Sequence, residues 1–476
     1  MFGLDLMIFG LDLMIFLAIV IAGYMAWNIG ANDVANAMGT SVGSKALTLR
    51  NAIIIAAVFE FLGAFFAGDA VTDTVRKGVL VISEEEMALL SKELYYGFIA
   101  SMLAAALWIT YATRYGLPVS TTHSIVGGII GIGLFIDPSM IDYAKVGQIV
   151  ISWIASPLLG GILAYSTFYI IKTMILDAQE PIDRSRWMAP VLALPTFFVL
   201  SLALQFKALK YVLPDAWLPS KNCAEGLGFI DSLGACLPIQ SLLTALVMGL
   251  FCSTILYVIL RNYEFEEKGY SGVETIFAWL QVITACYVAF AHGANDRSNA
   301  IGPMAAVWQV FKAGSLGPEA EVPLWLVLLG SLGIVVGITT WGYRVMKTIG
   351  EKITHITPTR GFAAQFAAAT TVLIFSMPFL AIPISTTHTL VGSVVGVGLA
   401  GGASSVDFRV FGKIAASWVA SIPAAGFGAM ILYAIFGTNE TRFIISVLII
   451  MSIMSWLLYN SIKSGPKVEI EVGNGG

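Results

Sequence analysis

A short motif of unusual composition occurs twice in this chain. Residues 118–123 read PVSTTH and residues 383–388 read PISTTH. Over the seventeen positions that begin at each proline, ten residues are identical. Shared apolar composition alone does not give this identity, so the sequence predicts an internal duplication, with function where its two halves meet.

Each copy is a proline, three hydroxyl side chains, and a run of Gly and β-branched residues long enough to continue as a helix. Ser or Thr at a helix start accepts hydrogen bonds from the free N–H groups, and the helix dipole favours an anion there. Two such starts would surround one oxyanion. The alternative is that the hydroxyls only cap two broken helices, and the duplication favours the anion site. The candidate oxyanion ligands are Ser120, Thr121, Thr122, Ser385, Thr386 and Thr387.

The chain is too apolar for a soluble protein. Hydrophobic residues make up 57% of its 476 positions, charged residues make up 12%, and the mean hydropathy is +0.83. Apolar stretches of about 20 residues suit helices that cross a hydrocarbon core of about 30 Å. Two pairs of stretches, 94–113 with 118–136 and 362–380 with 383–400, are each either two crossings or one re-entrant hairpin. We predict an all-α polytopic membrane protein with about 12 transmembrane helices.

Three landmarks recur in the same order in both halves: Gly-Ala-Asn-Asp, Ser-Thr-Thr-His and Ser-Trp-x-Ala-Ser. The number of predicted crossings between corresponding elements is odd, so the halves should be inverted repeats with broken helices or re-entrant hairpins. This plan is typical of secondary transporters. The predicted domains are repeat 1 (17–172), connecting helices and a polar loop (173–264), repeat 2 (265–437), and a C-terminal helix and tail (438–476).

The second duplicated motif reads NDVANA at 32–37 and NDRSNA at 295–300. Its Asp and second Asn are three residues apart, and so share a helix face. A carboxylate at membrane depth costs about 2.5–3.5 kcal/mol, so it should have a partner. Carboxylate and amide oxygens, with carbonyls freed at a helix break, suit a hard cation, whereas the alternative is a helix start. The candidate cation ligands are Asn32, Asp33, Asn36, Asn295, Asp296 and Asn299.

Other polar residues in apolar stretches allow two interpretations. Either Glu60 or Gln365 could complete a further cation site, and the alternative for Gln365 is an amide on the helix surface. His123 and His388 are either packing residues or proton relays. Arg297 stands where the first repeat has a valine, and either neutralises the anion or pairs with the adjacent aspartate.

Several classes of protein are disfavoured. A net charge of −4 without a basic block offers nothing to nucleic acid. An intramembrane hydrolase would need one activated serine, yet neither Ser120 nor Ser385 is distinguished. A passive channel is a further minor alternative. Cys223 and Cys236 share a polar stretch and are either a disulfide or two thiols.

The motifs GANDVAN at 30–36 and AHGAND at 291–296, with the paired Pro-x-Ser-Thr-Thr-His, resemble the inorganic phosphate transporter (PiT) family. The resemblance covers about 17–437. It implies no enzyme and no cofactor, but a multi-pass symporter of the cell membrane that couples phosphate to sodium by alternating access, with the candidate residues above as ligands.

Two departures from the family pattern place the second cation site in question. Members often have glutamate where Gln365 stands and a small or apolar residue where Arg297 stands. The alternative is a proton-coupled phosphate or sulfate permease of the same fold. The expected partners are phosphate, sodium and the bilayer, and the choice between monomer and homodimer is open.

Overall fold

The computed structural model describes residues 7–8, 11–67, 79–209, 212–219, 237–265, 269–316, 322–375 and 384–463. A two-stranded antiparallel sheet, β1 (Met7–Ile8) and β2 (Leu11–Asp12), precedes the first helix. The helices are α1 (Leu13–Gly43), α2 (Leu49–Ala67), α3 (Glu84–Leu89), α4 (Ser91–Arg114), α5 (Thr121–Ile136), α6 (Tyr143–Ile171), α7 (Pro181–Ala203), α8 (Ile239–Asn262), α9 (Tyr270–Ala313), α10 (Leu324–Trp341), α11 (Tyr343–Lys347), α12 (Pro358–Phe375), α13 (Thr386–Ala400), α14 (Phe408–Phe436) and α15 (Glu440–Lys463).

Ten helices of the described chain are long and apolar enough to cross a membrane. Two shorter apolar helices, α5 and α13, begin at the duplicated threonines. The prediction of an all-α polytopic membrane protein is confirmed. At 16 residues, α5 is about 24 Å long and therefore shorter than a hydrocarbon core of about 30 Å. The count of 12 crossings and the inverted layout stay predictions.

The helices of the two repeats pack on each other in matching pairs. Helix α1 packs on α10 as α9 packs on α2, and α5 packs on α14 as α13 packs on α6. The closest approaches use glycine: a Cβ at Gly30 would lie 1.9 Å from the Ile334 carbonyl oxygen, and one at Gly293 would lie 2.1 Å from that of Glu60. Small residues let membrane helices approach this closely. Each of these helices therefore packs on a helix of the other repeat, in symmetrical pairs.

The connections between helices also correspond. Leu80 forms an isolated β-bridge with Ile141, and Thr354 forms the same bridge with Val406. Each bridge leads into an aspartate that caps the following helix, α6 or α14. The duplication thus extends to backbone pairing outside the helices.

The expected helix breaks at the Asn-Asp motifs are wrong. Helix α1 continues through Asp33 to Gly43, and α9 continues through Asp296 to Ala313. Hydropathy falls at the polar motif, although its Ala and Gly neighbours are compatible with a helix packed on all sides. No carbonyls are freed there, so any cation ligands must be side chains.

The helix breaks lie in the Ser-Thr-Thr-His motifs. Helix α4 ends at Arg114, and α5 begins at Thr121 after a turn in which Gly116 has φ +65°. In the second repeat, α12 ends at Phe375 and α13 begins at Thr386. Cys223, Cys236 and Pro383 lie outside the described residues, as does most of the predicted polar loop.

Candidate functional site

Asp33 lies at the centre of the site and joins both broken-helix starts. Its Oδ2 accepts a hydrogen bond of 2.7 Å from the Thr121 hydroxyl at the start of α5. Its Oδ1 accepts one of 3.3 Å from the Thr387 hydroxyl at the start of α13. The Asp33 side chain is buried. One carboxylate of α1 therefore contacts hydroxyls from both repeats.

The asparagines at the end of each Asp-x-x-Asn motif cross between the repeats. The Asn36 amide donates to the Thr387 hydroxyl at 2.9 Å. The Asn299 amide donates to the hydroxyls of Thr122 at 3.2 Å and Thr121 at 3.3 Å. The side-chain oxygen of Asn36 is buried and has no hydrogen-bond partner among the described residues. It is an acceptor available to a cation.

The second aspartate has a different set of neighbours. Asp296 Oδ2 lies 2.6 Å from His292 Nε2 and 3.5 Å from the Thr386 hydroxyl. Asp296 Oδ1 accepts a hydrogen bond of 2.7 Å from the Asn295 amide. Asp296 is buried, whereas Thr386 is partly exposed. Both its oxygens thus already contact polar groups of the second repeat.

His292 is the site residue to which sequence reasoning assigned no role. Its Nδ1 lies 3.1 Å from Glu60 Oε2, and its Nε2 lies 3.8 Å from Asp33 Oδ2. Ligand atoms of Asp33, His292 and Asp296 all lie within 4.8 Å of one another. The available signal was its position one turn before Asp296, which puts both residues on one face of α9. The site therefore holds three carboxylates around one imidazole.

Glu60 and Gln365 do not share a site. Glu60 contacts His292, whereas the Gln365 side-chain oxygen accepts a hydrogen bond of 2.9 Å from Thr284, eight residues or about 12 Å earlier in α9. The Gln365 amide donates to the Ala37 carbonyl at 2.8 Å and to Ser41. Gln365 thus bridges α12 to α1 and α9 with its polar atoms bonded to the protein.

Asn32 holds the connection between α4 and α5. Its amide donates to the Thr113 hydroxyl at 2.8 Å and to the Leu117 carbonyl at 3.1 Å. Its side-chain oxygen accepts from the Val119 N–H at 3.1 Å. Both ends of this side chain are bonded to the end of α4 and the connection that follows it, so the side chain is directed to the backbone of the break rather than to the carboxylates.

The two serines act as helix caps. The Ser120 hydroxyl accepts from the His123 N–H at 3.2 Å, and the Ser385 hydroxyl accepts from the His388 N–H at 3.1 Å. This is the capping role that Ser takes at a helix start. The threonines, not the serines, contact the Asp and Asn side chains.

Arg297 and the paired histidines lie beside this centre. The buried Arg297 guanidinium donates to the Ala64 carbonyl near the end of α2. The His123 and His388 rings meet edge to face with centroids 4.3 Å apart. Each ring also packs on a tryptophan, Trp153 or Trp418, at 3.8 Å. These contacts favour the packing role for both histidines.

Comparisons with known proteins agree with this architecture. A sequence profile of the phosphate transporter family matches residues 29–429. A putative phosphate permease of Thermococcus kodakarensis is 42% identical over 424 residues, which cover 88% of this chain and 97% of that protein. The chloroplastic inorganic phosphate transporter 2-1 of Arabidopsis thaliana is 41% identical over 435 residues, which cover 87% and 70%.

A solved structure, described as "the sodium-dependent phosphate transporter", superimposes with a TM-score of 0.77 at 36% identity. The match covers 90% of this chain and 100% of that one. Transporters of this kind are not enzymes, so the hydrolase alternative is wrong. The chain is a multi-pass membrane protein that belongs to the phosphate transporter family.

Proposed function

We propose that the protein is a sodium-coupled symporter of inorganic phosphate that works by alternating access. The observation that carries the proposal is that the Asp33 carboxylate accepts hydrogen bonds from hydroxyls at the starts of both α5 and α13. The proposed cation ligands and the proposed anion ligands thus belong to one hydrogen-bonded network. The name of the solved relative supports sodium as the coupling ion.

Sodium binds the carboxylates and amides of α1 and α9. Oxygen ligands suit a hard cation, and Asn36 offers an unpartnered side-chain oxygen, while its amide nitrogen lies 3.5 Å from Asp33 Oδ1. The carboxylates of Asp33 and Asp296 supply the charge. Asn299 occupies the corresponding place in the second repeat. Asn32 and Asn295 support this set, because their side chains engage the hairpin and Asp296 respectively.

Phosphate binds at the threonine hydroxyls where α5 and α13 begin. The hydroxyls of Thr121 and Thr387 donate to Asp33. A sodium ion that takes the Asp33 oxygens leaves these hydroxyls free to donate to an oxyanion, and the two helix dipoles add to the attraction. The serines Ser120 and Ser385 fix the helix starts. Cation binding therefore creates the anion site, which is a physical basis for coupling.

The membrane potential adds to the driving force. Two sodium ions carried with one monovalent phosphate move one net positive charge inward. Such a charge gains about 2.3 kcal/mol per 100 mV. The two repeats pack on each other in matching helix pairs, and alternating access would exchange one packing of such pairs for another.

The test is radiolabelled phosphate uptake into proteoliposomes at fixed pH. We expect an inward sodium gradient to drive accumulation, a potassium gradient to fail, and excess sulfate to leave uptake unchanged. Equal uptake in potassium that collapses with the proton gradient would contradict sodium coupling and support the proton-coupled alternative. Competition by sulfate would contradict selectivity for phosphate over sulfate.

A further inference from the structure

An apolar groove of about 800 Å³ runs between α6 and α14, with α13 as its floor. Its walls include Ile154, Leu158 and Val419, whose side chains are 64%, 60% and 75% exposed. Because α6 and α14 are both long and apolar enough to cross a membrane, we expect these exposed walls to face hydrocarbon. The groove is therefore open to molecules that dissolve in the bilayer.

Two imidazoles line this otherwise apolar groove. His123 and His388 are 1% and 3% exposed. Both ring nitrogens of His123, and Nε2 of His388, have no hydrogen-bond partner among the described residues. His388 Nδ1 lies 3.3 Å from the Trp153 carbonyl oxygen, which can only accept, so Nε2 of the neutral ring is a bare acceptor. Buried polar atoms normally have partners, so these nitrogens indicate a missing polar group.

We propose that the groove binds a long-chain fatty acid in its uncharged form, with the carboxyl group on the two imidazoles. A plain hydrocarbon chain would leave the nitrogens unpartnered. The carboxylic O–H can donate to His388 Nε2, and its carbonyl can accept from the N–H of His123. A hydroxyl would offer a single oxygen to both rings, whereas a carboxyl spreads its donor and acceptor over two oxygens. This suits rings whose centroids are 4.3 Å apart.

The site lies directly behind the proposed phosphate ligands. His123 follows Thr122, and His388 follows Thr387, in the first turns of α5 and α13. A bound carboxyl group would thus lie within the first turn of both helices, next to the threonines in the chain. Fatty acid binding itself needs neither phosphate nor sodium, so it is tested separately from the transport function.

Tryptophan fluorescence tests the proposal, because the Trp153 and Trp418 rings lie 3.8 Å from the histidine rings. The full chain in nanodiscs is titrated with dibrominated stearic acid, a short-range quencher. We expect saturable quenching that oleic acid reverses and that Trp153→Phe reduces. The methyl ester lacks the O–H donor and should bind about tenfold more weakly. Equal quenching by acid and ester, by brominated phosphatidylcholine, or without saturation would overturn the proposal.

A groove-filling variant provides the second arm. Ala415 lines the groove on α14, so Ala415→Phe should weaken binding of the acid about tenfold by occupying its space. Val247 lies on the exposed face of α8 and is 62% exposed, so Val247→Phe adds the same ring outside the groove and should bind as the wild type does. Unchanged binding by Ala415→Phe would contradict the assignment. If that variant does not fold, the comparison of acid with ester in the wild type decides.

Discussion

The two helix interfaces that flank the site are built alike but differ in charge. Where α1 packs on α10, Gly30 contacts the carbonyl of Ile334, and where α9 packs on α2, Gly293 contacts that of Glu60. Glu60 thus occupies the place of Ile334. Likewise, His292 precedes Gly293 as Ile29 precedes Gly30. A buried isoleucine pair in one interface corresponds to a buried carboxylate–imidazole pair in the other.

The two repeats therefore share their helix packing but differ in the charged residues at the packed interfaces. Asp33 accepts hydrogen bonds from hydroxyls of both repeats, whereas Asp296 contacts His292 and Asn295. The two proposed cation sites should therefore differ in affinity, because nearby charges change the free energy of binding at short range. We therefore expect the Asp33 side to dominate sodium binding.

The largest expected effect is that of Asp33→Asn. The change removes the negative charge and weakens the acceptor of two hydroxyls, and hydrogen bonds to charged groups contribute about 1.5–3 kcal/mol each. Sodium-driven phosphate uptake in proteoliposomes should fall about a hundredfold or more. Asp407→Asn, at the start of α14, is the control and should retain uptake. Wild-type uptake by Asp33→Asn would remove this residue from the site.

The charged interface can be converted into the apolar one. His292→Ile leaves the buried carboxylate of Glu60 without its imidazole, and removal of one partner of a buried pair costs about 3–5 kcal/mol. The double variant with Glu60→Ile also removes the carboxylate of Glu60 and leaves Asp296 without its imidazole contact, so it should unfold at a higher temperature than His292→Ile alone. Thermal unfolding in detergent measures the difference, with Ile29→Val as the control. A double variant less stable than the single one would show that the pair contributes no mutual stabilisation.

The first asparagines of the two Asn-Asp motifs, Asn32 and Asn295, should differ in their effect on the KM for phosphate. Asn32→Ala removes three hydrogen bonds that hold the first hairpin, each with a net contribution of about 1 kcal/mol. The KM for phosphate should rise about tenfold while the carboxylates remain in place. Asn295→Ala removes one described bond to Asp296, so its KM should change about fivefold or less. An equal rise in both variants would contradict the distinct role of Asn32.

The helix caps should show the smallest and most symmetrical effects. Ser120→Ala and Ser385→Ala each remove one cap, and such a change costs about 1 kcal/mol. Thermal unfolding should shift downward by the same small amount in both variants. A much larger effect on uptake from one of them would show that this serine also contacts phosphate.

Much of the site could be predicted because its motifs are local. The duplicated Ser-Thr-Thr-His predicts helix starts, and the observed caps lie at Ser120 and Ser385. The expected helix break at Asp33 was wrong, because hydropathy reports polarity and not backbone conformation. Gln365 could not be placed from sequence, since its partners Ala37 and Thr284 lie in other helices.

The membrane class, the duplication and the residue types of the site can be inferred from the sequence alone. Composition and repeats are properties of the chain that need no knowledge of contacts. The tertiary structure was needed to show that Asn36 and Asn299 donate hydrogen bonds to threonines of the opposite repeat, and that His292 lies among three carboxylates. These pairings join residues far apart in the chain, and close helix packing at a few glycines determines which side chains meet.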